Sequence, residues 1–294
     1  MDTVNCNDVI EHSLMLGNDA LSRHFGADVI FLKSPMRQPV DDAVKDEIEE
    51  IKSLRGQKKR KLVVFVETNG GFVETVERMV SVFRKHYDTV EYVVPNCAYS
   101  AGTILVMSGD EIHMDYYSVL GPIDPQMESG MPGMGYLAKY QELLDTINGA
   151  SDPQRVRAEI AFLLEKYDPA KLFWIEQAVE HSKSLLRDWL PKYKFKSWTQ
   201  KETTGGPVTD ADRQQRADDI AMVLGDAKKW HSHGRGLTIR ELESEDIKLK
   251  IKNYSDNKTL YGNISHYRGL LVDYMGRRGF RSALHTKRGI RRLA

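Results

Sequence analysis

Apolar and polar positions alternate along the first 115 residues at two different spacings. Strand-like apolar runs lie at residues 28–32, 62–66, 90–94 and 111–114. Stretches with apolar side chains at helical spacing lie at residues 1–26, 41–54, 74–86 and 102–108. The run 62–66 is apolar throughout, as expected of a strand buried on both faces of a parallel sheet. This order of strands and helices predicts right-handed crossovers on a parallel sheet, and therefore an α/β fold.

The second half of the chain reads as helical, and side chains that commonly cap helices mark where the helices begin. Asp168 before Pro169 predicts the start of a helix that ends before Pro191. Thr209 with Asp212, and Thr238 with Glu241, resemble capping boxes. We therefore divide the chain into a helix–strand–helix lead-in, a core, a helical extension packed on the core and a basic tail, at residues 1–60, 61–150, 151–276 and 277–294.

Composition and charge exclude some classes of partner. The 42 basic and 42 acidic side chains give a net charge of zero, which offers no argument for a nucleic-acid partner. No apolar run approaches the length of a membrane span, and the acidic start does not resemble a signal peptide. Two cysteines are too few for a disulfide framework and indicate a reducing, cytoplasmic location. For the basic tail, a solvated segment is the default and binding to acidic lipid or nucleic acid is the alternative.

Two turns at the carboxyl ends of predicted strands are candidates for chemistry. Ser100 lies where a helix begins, so its hydroxyl either caps that helix or acts as a nucleophile. Gly70-Gly71 is either a tight turn or an oxyanion hole, in which the amides near Gly71 and at Ala101 would hold a negatively charged oxygen. Because functional loops gather at the carboxyl ends of parallel strands, we expect the two turns to be neighbours.

A nucleophilic serine needs a base. Lys139, early in a predicted helix, could serve if burial removed its charge, although an exposed helix lysine is the plainer interpretation. His231 and His233 could be half of a metal site, but no further ligand has suggestive spacing, and we predict no metal and no cofactor. Asp124 could orient a base or simply form a turn between two prolines, and Cys97 is a reactive thiol only by its proximity to Ser100.

Four ordered motifs together resemble the serine dehydrogenase proteinase family of the Clp-protease and crotonase-like superfamily, which also includes signal-peptide peptidase A. The motifs lie at residues 67–71, 95–103, 107–110 and 118–126, and weaker similarity continues at 189–195 and 230–235. The resemblance implies a Clp/crotonase-like parallel sheet with crossover helices and with helical N- and C-terminal additions. It also implies a homo-oligomer that acts on a peptide or protein substrate.

The same resemblance assigns roles to the candidate residues. It implies Ser100 as nucleophile, Lys139 as the base of a Ser-Lys dyad, and Gly70, Gly71 and Ala101 as the oxyanion hole. The Clp proteolytic subunit carries its histidine where this chain has Ile123 and Asp124, and Asn69 replaces the usual proline before the two glycines.

We therefore predict a serine peptidase. The alternatives are a crotonase-like acyl-thioester enzyme, which would need no nucleophilic serine, and a catalytically inactive assembly module. The chain has no phosphate-binding motif of the Gly-x-x-x-x-Gly-Lys-Ser/Thr type, so any dependence on ATP would require a partner protein.

Overall fold

The computed structural model describes residues 5–55, 60–126, 133–149, 165 and 167–293. Within these residues the predicted α/β class is confirmed, since helices cover both faces of a mostly parallel central sheet. The Gly- and Pro-rich sequence predicts a loop over residues 130–135; residues 130–132 lie outside the described residues, and residues 133–135 are helical instead. The predicted start of the helical extension at residue 151 also lies outside the described residues.

The helices and strands follow the predicted order closely in the first half of the chain. The helices are α1 (Cys6–Phe25), α2 (Val40–Arg55), α3 (Val73–His86), α4 (Ala101–Met107), α5 (Gly133–Gly149), α6 (Pro169–Lys192), α7 (Asp210–Leu224), α8 (Ala227–Trp230), α9 (Ile239–Leu242) and α10 (Lys258–Arg278). The strands are β1 (Asp28–Lys33), β2 (Lys61–Glu67), β3 (Thr89–Val93), β4 (Cys97–Ala98), β5 (Glu111–Met114), β6 (Val119–Leu120), β7 (Lys252–Asn253), β8 (Ala283–Thr286) and β9 (Gly289–Arg292).

The central sheet has the order β7-β5-β3-β2-β1-β8-β9. The strands β7, β5, β3, β2 and β1 pair in parallel, with Phe31 opposite Phe65 and Phe65 opposite Val93. The strands β8 and β9 add an antiparallel edge next to β1. The sheet therefore contains strands from all four segments into which the sequence divides the chain. The carboxyl ends of its parallel strands lie at the same end of the sheet.

Two hydrophobic cores lie on opposite faces of the sheet because side chains alternate along each strand. Val64 and Val66 point into the core formed with α2, α3, α4, α6 and α7. Val63 and Phe65 point into the other core, against α1 and α10. A strand buried on both faces has apolar side chains at every position, which explains the unbroken run from Leu62 to Val66.

The C-terminal segment corrects one expectation. The sequence favours a solvated basic tail for residues 277–294, but this segment completes α10 and forms β8 and β9. Ala283, Leu284 and His285 are buried, while the basic side chains of Arg291 and Arg292 lie on the edge strand and are exposed. The segment therefore forms a hairpin with one buried strand and one partly exposed, basic strand at the edge of the sheet, and it is not a frayed tail.

The predicted helix ends differ only slightly from those observed. Asp168 caps α6 by accepting a hydrogen bond from the Ala170 amide at 2.9 Å, as predicted. The helix continues through Pro191 to Lys192 instead of ending before the proline. The predicted capping box at the start of α7 is confirmed, since the Thr209 hydroxyl accepts from the Asp212 amide and Asp212 accepts from the Thr209 amide.

Candidate active site

A row of short backbone bridges continues beyond the carboxyl end of β2 and builds the candidate site. Thr68 bridges to Ala98 in parallel, and Ala98 in β4 pairs in parallel with Leu120 in β6. Leu120 in turn bridges to Leu237 in the antiparallel direction, with reciprocal hydrogen bonds of 3.0 and 2.8 Å. Four chain segments, distant in sequence, therefore lie side by side just before the Gly70 and Ser100 turns.

Ser100 has a backbone conformation that non-glycine residues rarely adopt. Its φ is 53° and its ψ is −118°, outside the helical and strand regions. Residues in such conformations occur where the surrounding structure imposes them, and they are concentrated at functional sites. A serine on a strained strand-to-helix turn, with its hydroxyl raised above the sheet, is the arrangement that presents a nucleophile in many hydrolases.

The capping alternative for Ser100 is not what the structure contains. The Ser100 carbonyl accepts hydrogen bonds from Thr103 and Ile104 at 2.8 and 3.2 Å, so the backbone does begin α4 there. The side chain makes no capping hydrogen bond, and its Oγ has no hydrogen-bond partner within the described part of the chain. The hydroxyl is therefore not used to stabilise the helix, and it remains half-buried.

The helix behind Ser100 holds the turn in place. All seven residues of α4 are buried, which anchors the short helix against the core. Thr103 also links the turn to the next segment, since its Oγ1 lies 2.8 Å from the Ala98 carbonyl and accepts from the Gly121 amide at 2.9 Å. The strained geometry of Ser100 is thus fixed by buried contacts on both sides.

The Gly70-Gly71 turn lies directly beside Ser100, as predicted from the strand order. The two glycines have φ angles of 99° and 149°, which side chains disfavour. A Cβ atom at Gly70 would lie 2.8 Å from the Cβ of Ser100 and 3.0 Å from the Tyr99 carbonyl oxygen. A side chain at Gly71 would overlap the backbone of Met36. Both positions therefore require glycine for steric reasons as well as for conformation.

The hydrogen bonds of this turn distinguish the two glycine amides. The Gly70 amide donates to Thr68 Oγ1 at 3.0 Å. A parallel bridge to Met36 uses the Gly70 carbonyl and the Phe72 amide, at 2.8 and 2.7 Å. The Gly71 amide is left without an acceptor within the described residues, and so is the Ala101 amide. These two amides, rather than that of Gly70, are free to donate to a bound group.

Lys139 lies apart from this cluster in its interactions. It is on α5, its side chain is 69% exposed, and its ammonium pairs with Glu142 at 2.7 Å. The hydrogen bond from Lys139 to Glu142 and the charge of Glu142 raise the lysine pKa. A base needs a neutral amine, which a lowered pKa would favour, and no hydrogen bond links Lys139 to Ser100 among the described residues. The structure thus brings Gly70, Gly71, Ala101 and Ser100 together, without Lys139.

The bridged segments also hold a close pair of side chains that is not predictable from the sequence. His233 Nδ1 lies 3.0 Å from Asp124 Oδ1, and the two side chains are 11% and 1% exposed. Taken separately, His233 suggests a metal ligand and Asp124 suggests a turn or an orienting carboxylate. Their pairing could not be foreseen because it depends on the bridge between Leu120 and Leu237, which joins segments more than 100 residues apart.

Cys97 is not activated by its surroundings. Burial is the main cause of a raised thiol pKa, and the nearby negative charge of Glu67 raises it further. The carboxylate of Glu67 is itself buried and pairs with Lys33 at 2.7 Å and with Arg268. A raised pKa lowers the thiolate fraction, so Cys97 is a poor candidate for a reactive thiol.

Two absences within the described ranges bear on binding. These ranges contain no group of three or more potential metal-ligating side chains. None of their helices combines the length and the apolar character needed to cross a bilayer.

Comparisons with known proteins place the chain in a family. Residues 24–213 match the family of ClpP-like SDH-type serine proteinases. Two uncharacterized proteins of Methanocaldococcus jannaschii are similar to this chain. MJ0137 is 32% identical over 85 residues, which cover 29% of this chain and 30% of MJ0137. MJ1495 is 27% identical over 142 residues, which cover 48% of this chain and 44% of MJ1495. The matches therefore span less than half the length of either relative.

A solved structure of the ClpP protease catalytic domain from Plasmodium falciparum is similar at 9% identity, with a TM-score of 0.32, over 41% of this chain and 60% of that one. The family match covers well over half of the chain and includes both the Gly70-Gly71 turn and Ser100. The chain therefore belongs to the ClpP-like SDH-type serine proteinases.

Proposed function

We propose that this chain hydrolyses peptide bonds with Ser100 as the nucleophile. The observation that carries the proposal is the backbone of Ser100, which has a strained φ of 53° and a hydroxyl that does not cap α4. Strain of this kind has no use in an N-cap, which favours extended backbone and a bonded hydroxyl. Family membership supports the reaction class, since the family is one of serine proteinases.

The amides of Gly71 and Ala101 are proposed as the oxyanion hole. When Ser100 Oγ adds to a peptide carbonyl, the carbonyl oxygen becomes negative and needs donors placed in advance. Gly71 is exposed and its amide has no acceptor among the described residues, while the Ala101 amide opens the first turn of α4. Gly70 contributes through its small size, which allows the turn to approach Ser100.

Lys139 is the base that family resemblance implies. It can serve only in a form of the protein in which its ammonium leaves Glu142 and loses contact with water, since burial is what lowers a lysine pKa. Subunit contacts in the expected homo-oligomer would be one source of such burial. Exposed Phe173 and Trp174 on α6 are suitable side chains for such contacts. Light scattering measures whether the chain self-associates.

A serine-directed fluorophosphonate probe tests the nucleophile. We expect labelling of the protein at Ser100, identified by peptide mass spectrometry, and loss of labelling together with peptide hydrolysis in Ser100→Ala. The control is Ser81→Ala, which removes an exposed serine hydroxyl from α3. A protein that hydrolyses peptides after Ser100→Ala would contradict the proposal.

Two outcomes would favour the alternatives. Turnover of an acyl thioester that survives Ser100→Ala would indicate a crotonase-like enzyme. Absence of labelling and of hydrolysis across a broad peptide library, with assembly intact by light scattering, would indicate an inactive module.

A further inference from the structure

A cavity of about 160 Å³ lies on the α10 side of the sheet, beyond the carboxyl ends of β3 and β5. Its walls include four tyrosines, one arginine and one serine, at Tyr116, Tyr117, Tyr254, Tyr261, Arg268 and Ser265. Tyr116 and Tyr117 are 74% and 65% exposed, whereas Tyr254 is buried. Two exposed rings therefore border the cavity, and a buried ring closes it.

The pairing of β4 with β6 sets the distance between this cavity and the Ser100 turn. Cys97 pairs with Val119 in parallel, and the same register places Pro95 level with Tyr117, both of which line the cavity. Pro95 lies five residues before Ser100, which corresponds to at most about 17 Å along an extended chain. A substrate peptide bound at Ser100 would span this distance with about five residues.

Tyr99 connects the turn with the cavity, since it directly precedes Ser100 in the chain. Burial is the main cause of a raised pKa of the Tyr99 phenol, and the nearby charges of Cys97 and Tyr117 raise it further. Such interactions between charges fall off within about 10 Å in salt solution, so Tyr117 is a near neighbour of Tyr99. A peptide that extends from Ser100 past Tyr99 would therefore reach the cavity.

Arg268 supplies hydrogen-bond donors to the cavity. A guanidinium carries five N–H groups, and here Nε and Nη2 donate to Glu67. Nη1 has no acceptor among the described residues, and the Arg268 side chain is 29% exposed. Ser265 lies one turn earlier on α10 and is exposed, and its hydroxyl also has no partner in the described part of the chain. The Nη1 atom and this hydroxyl are therefore available to a bound group.

The carboxylates near the cavity are already occupied by the fold. Glu67 is 1% exposed and accepts from Lys33 at 2.7 Å and from Arg268. Asp115 lines the cavity, but its Oδ1 accepts from two backbone amides of the turn after β5, at 3.0 and 2.8 Å. Lys33 and Arg268 balance the charges of these two acids, so an added anion would not meet an uncompensated negative charge.

This chemistry matches a carboxylate better than a neutral group. A guanidinium binds a carboxylate through short, charge-assisted hydrogen bonds that a neutral acceptor does not provide. The exposed rings of Tyr116 and Tyr117 can pack against the chain next to that carboxylate. A peptide carries carboxylates on aspartate and glutamate side chains and at its C-terminus.

We propose that this cavity is a subsite for a carboxylate of the peptide substrate, and that Arg268 determines the specificity. This inference rests on the proposed function. An acidic side chain or the C-terminus, within about five residues of the scissile bond, would place its oxygens against Arg268 Nη1 and the Ser265 hydroxyl.

Arg268 also has a structural role, which the test must separate from recognition. Its partner Glu67 ends β2 directly before Thr68, and the Thr68 hydroxyl accepts from the Gly70 amide at 3.0 Å. Loss of Arg268 would leave the buried carboxylate of Glu67 with fewer partners and would disturb the Gly70 turn. Ser265 makes no such contact, so substitutions there change the cavity without removing the Glu67 pair.

The experiment measures binding of fluorescein-labelled peptides by fluorescence anisotropy to the full chain carrying Ser100→Ala, so that no peptide is cleaved. The peptides are alanine- and glycine-based with an amidated C-terminus, and one glutamate is moved through successive positions. A matched set carries glutamine instead. We expect glutamate at one position to lower Kd about tenfold or more relative to glutamine. In a third set without glutamate, an equal gain from a free C-terminus would identify the C-terminus as the source of the carboxylate.

Four variants locate the effect. Ser265→Asp places a carboxylate on the cavity wall and is expected to abolish the preference for the acidic peptide, whereas Ser265→Asn, of similar size and uncharged, is expected to retain it. Arg268→Lys keeps a cation beside Glu67 but lacks the planar donor pair, so it is expected to weaken the preference. Arg277→Gln, which removes an exposed arginine of the same helix, is the control and is expected to have no effect.

The outcomes separate this subsite from the proposed function. Absence of peptide binding overturns the subsite, and so does equal binding of the glutamate and glutamine peptides with no gain from a free C-terminus. A preference that persists in Ser265→Asp, or that is lost equally in Ser265→Asn, also overturns it. Labelling of the wild-type chain by the fluorophosphonate probe is measured separately. A chain that is not labelled loses the peptidase function, whereas a glutamate preference in that chain would still support a carboxylate site in the cavity.

Discussion

The Ser100 turn and the helix that carries Lys139 differ in almost every physical respect, although the same family resemblance joined them. Gly70 lies against Ser100 in the turn, and the Thr103 hydroxyl donates to the Ala98 carbonyl just before it. Lys139 is 69% exposed and interacts with a residue three positions along its own helix. Packing against the core fixes the conformation of the Ser100 turn. The surroundings of Lys139, in contrast, depend on what binds to the exposed surface of α5.

This difference separates two kinds of catalytic group. Backbone amides and a strained serine are positioned by packing that the chain supplies within a short stretch of sequence. A side-chain base is positioned by whichever segment comes close to the nucleophile, and that segment need not lie near the nucleophile in the sequence. We therefore expect substitutions on α5 to leave the geometry of the Ser100 turn unchanged, and substitutions in the core to disturb it.

The largest effect is expected from a methyl group beside the nucleophile. Gly70→Ala would place its Cβ 2.8 Å from that of Ser100 at a φ of 99°, so either the serine or the turn must move. We expect the rate of fluorophosphonate labelling to fall at least 100-fold, since misplacement by about 1 Å is enough for such losses. Labelling kinetics on the purified protein measure this.

Gly26→Ala is the control for the conformational part of that effect. Gly26 also has a positive φ, 61°, but a Cβ added there would meet no atom within 4 Å. It is expected to lower stability modestly and leave the labelling rate unchanged. Equal labelling rates in Gly70→Ala and wild type would show that the Ser100 turn tolerates displacement.

The second effect concerns the buried link between the turn and the Gly121 segment. Thr103→Val keeps the shape of the side chain but removes the hydroxyl that contacts Ala98 and Gly121. The Gly121 amide would then lose its acceptor, which costs about 1–3 kcal/mol of stability. Urea unfolding measures this loss, and labelling of Ser100 is expected to slow as the two segments loosen.

Thr103→Ser, which retains the hydroxyl, should preserve most of the labelling rate. If the serine variant lost as much stability and labelling as the valine variant does, the hydroxyl alone would not account for the link.

The sequence was sufficient for the backbone part of the site and insufficient for the rest. The run from Leu62 to Val66 and the strand over 90–94 predicted two adjacent parallel strands, and adjacency alone placed Gly70 beside Ser100. The pairing of His233 with Asp124 follows from an antiparallel bridge between distant segments, for which no local pattern exists. The sequence does not reveal the C-terminal hairpin because its basic residues resemble a solvated tail, although Leu284 and His285 are buried.

A third expected effect, the titration of His285, sets the pH at which labelling rates of Ser100 can be compared. His285 is buried in β8, and burial lowers its pKa to about 4. Because the unfolded chain binds this proton more readily, stability is fully present above about pH 6.5 and falls as the pH drops toward 4. From pH 7.5 to pH 5 this corresponds to a loss of about 2 kcal/mol in the free energy of unfolding.

Urea unfolding at the two pH values tests this, with His285→Gln as the variant that cannot titrate. The glutamine variant is expected to lose less stability between pH 7.5 and pH 5 than the wild type does, whatever its stability at pH 7.5. An unchanged pH dependence in this variant would assign the loss to other groups. Labelling rates should accordingly be compared near pH 7.5, where this loss is absent.

We expect the smallest change in the labelling rate from a substitution at Lys139, which the family resemblance implies as the base. Lys139→Ala removes an exposed ammonium whose partner is Glu142, also exposed, and an exposed ion pair of this kind contributes little. We expect the labelling rate of Ser100 to stay within twofold of wild type, and the matched variant Glu142→Ala to behave in the same way. A loss of 100-fold or more in Lys139→Ala, with Glu142→Ala unaffected, would show that α5 supplies the base in the working protein. The Ser100 turn and α5 would then be two parts of one site, and the exposed lysine of α5 would have to become buried for catalysis.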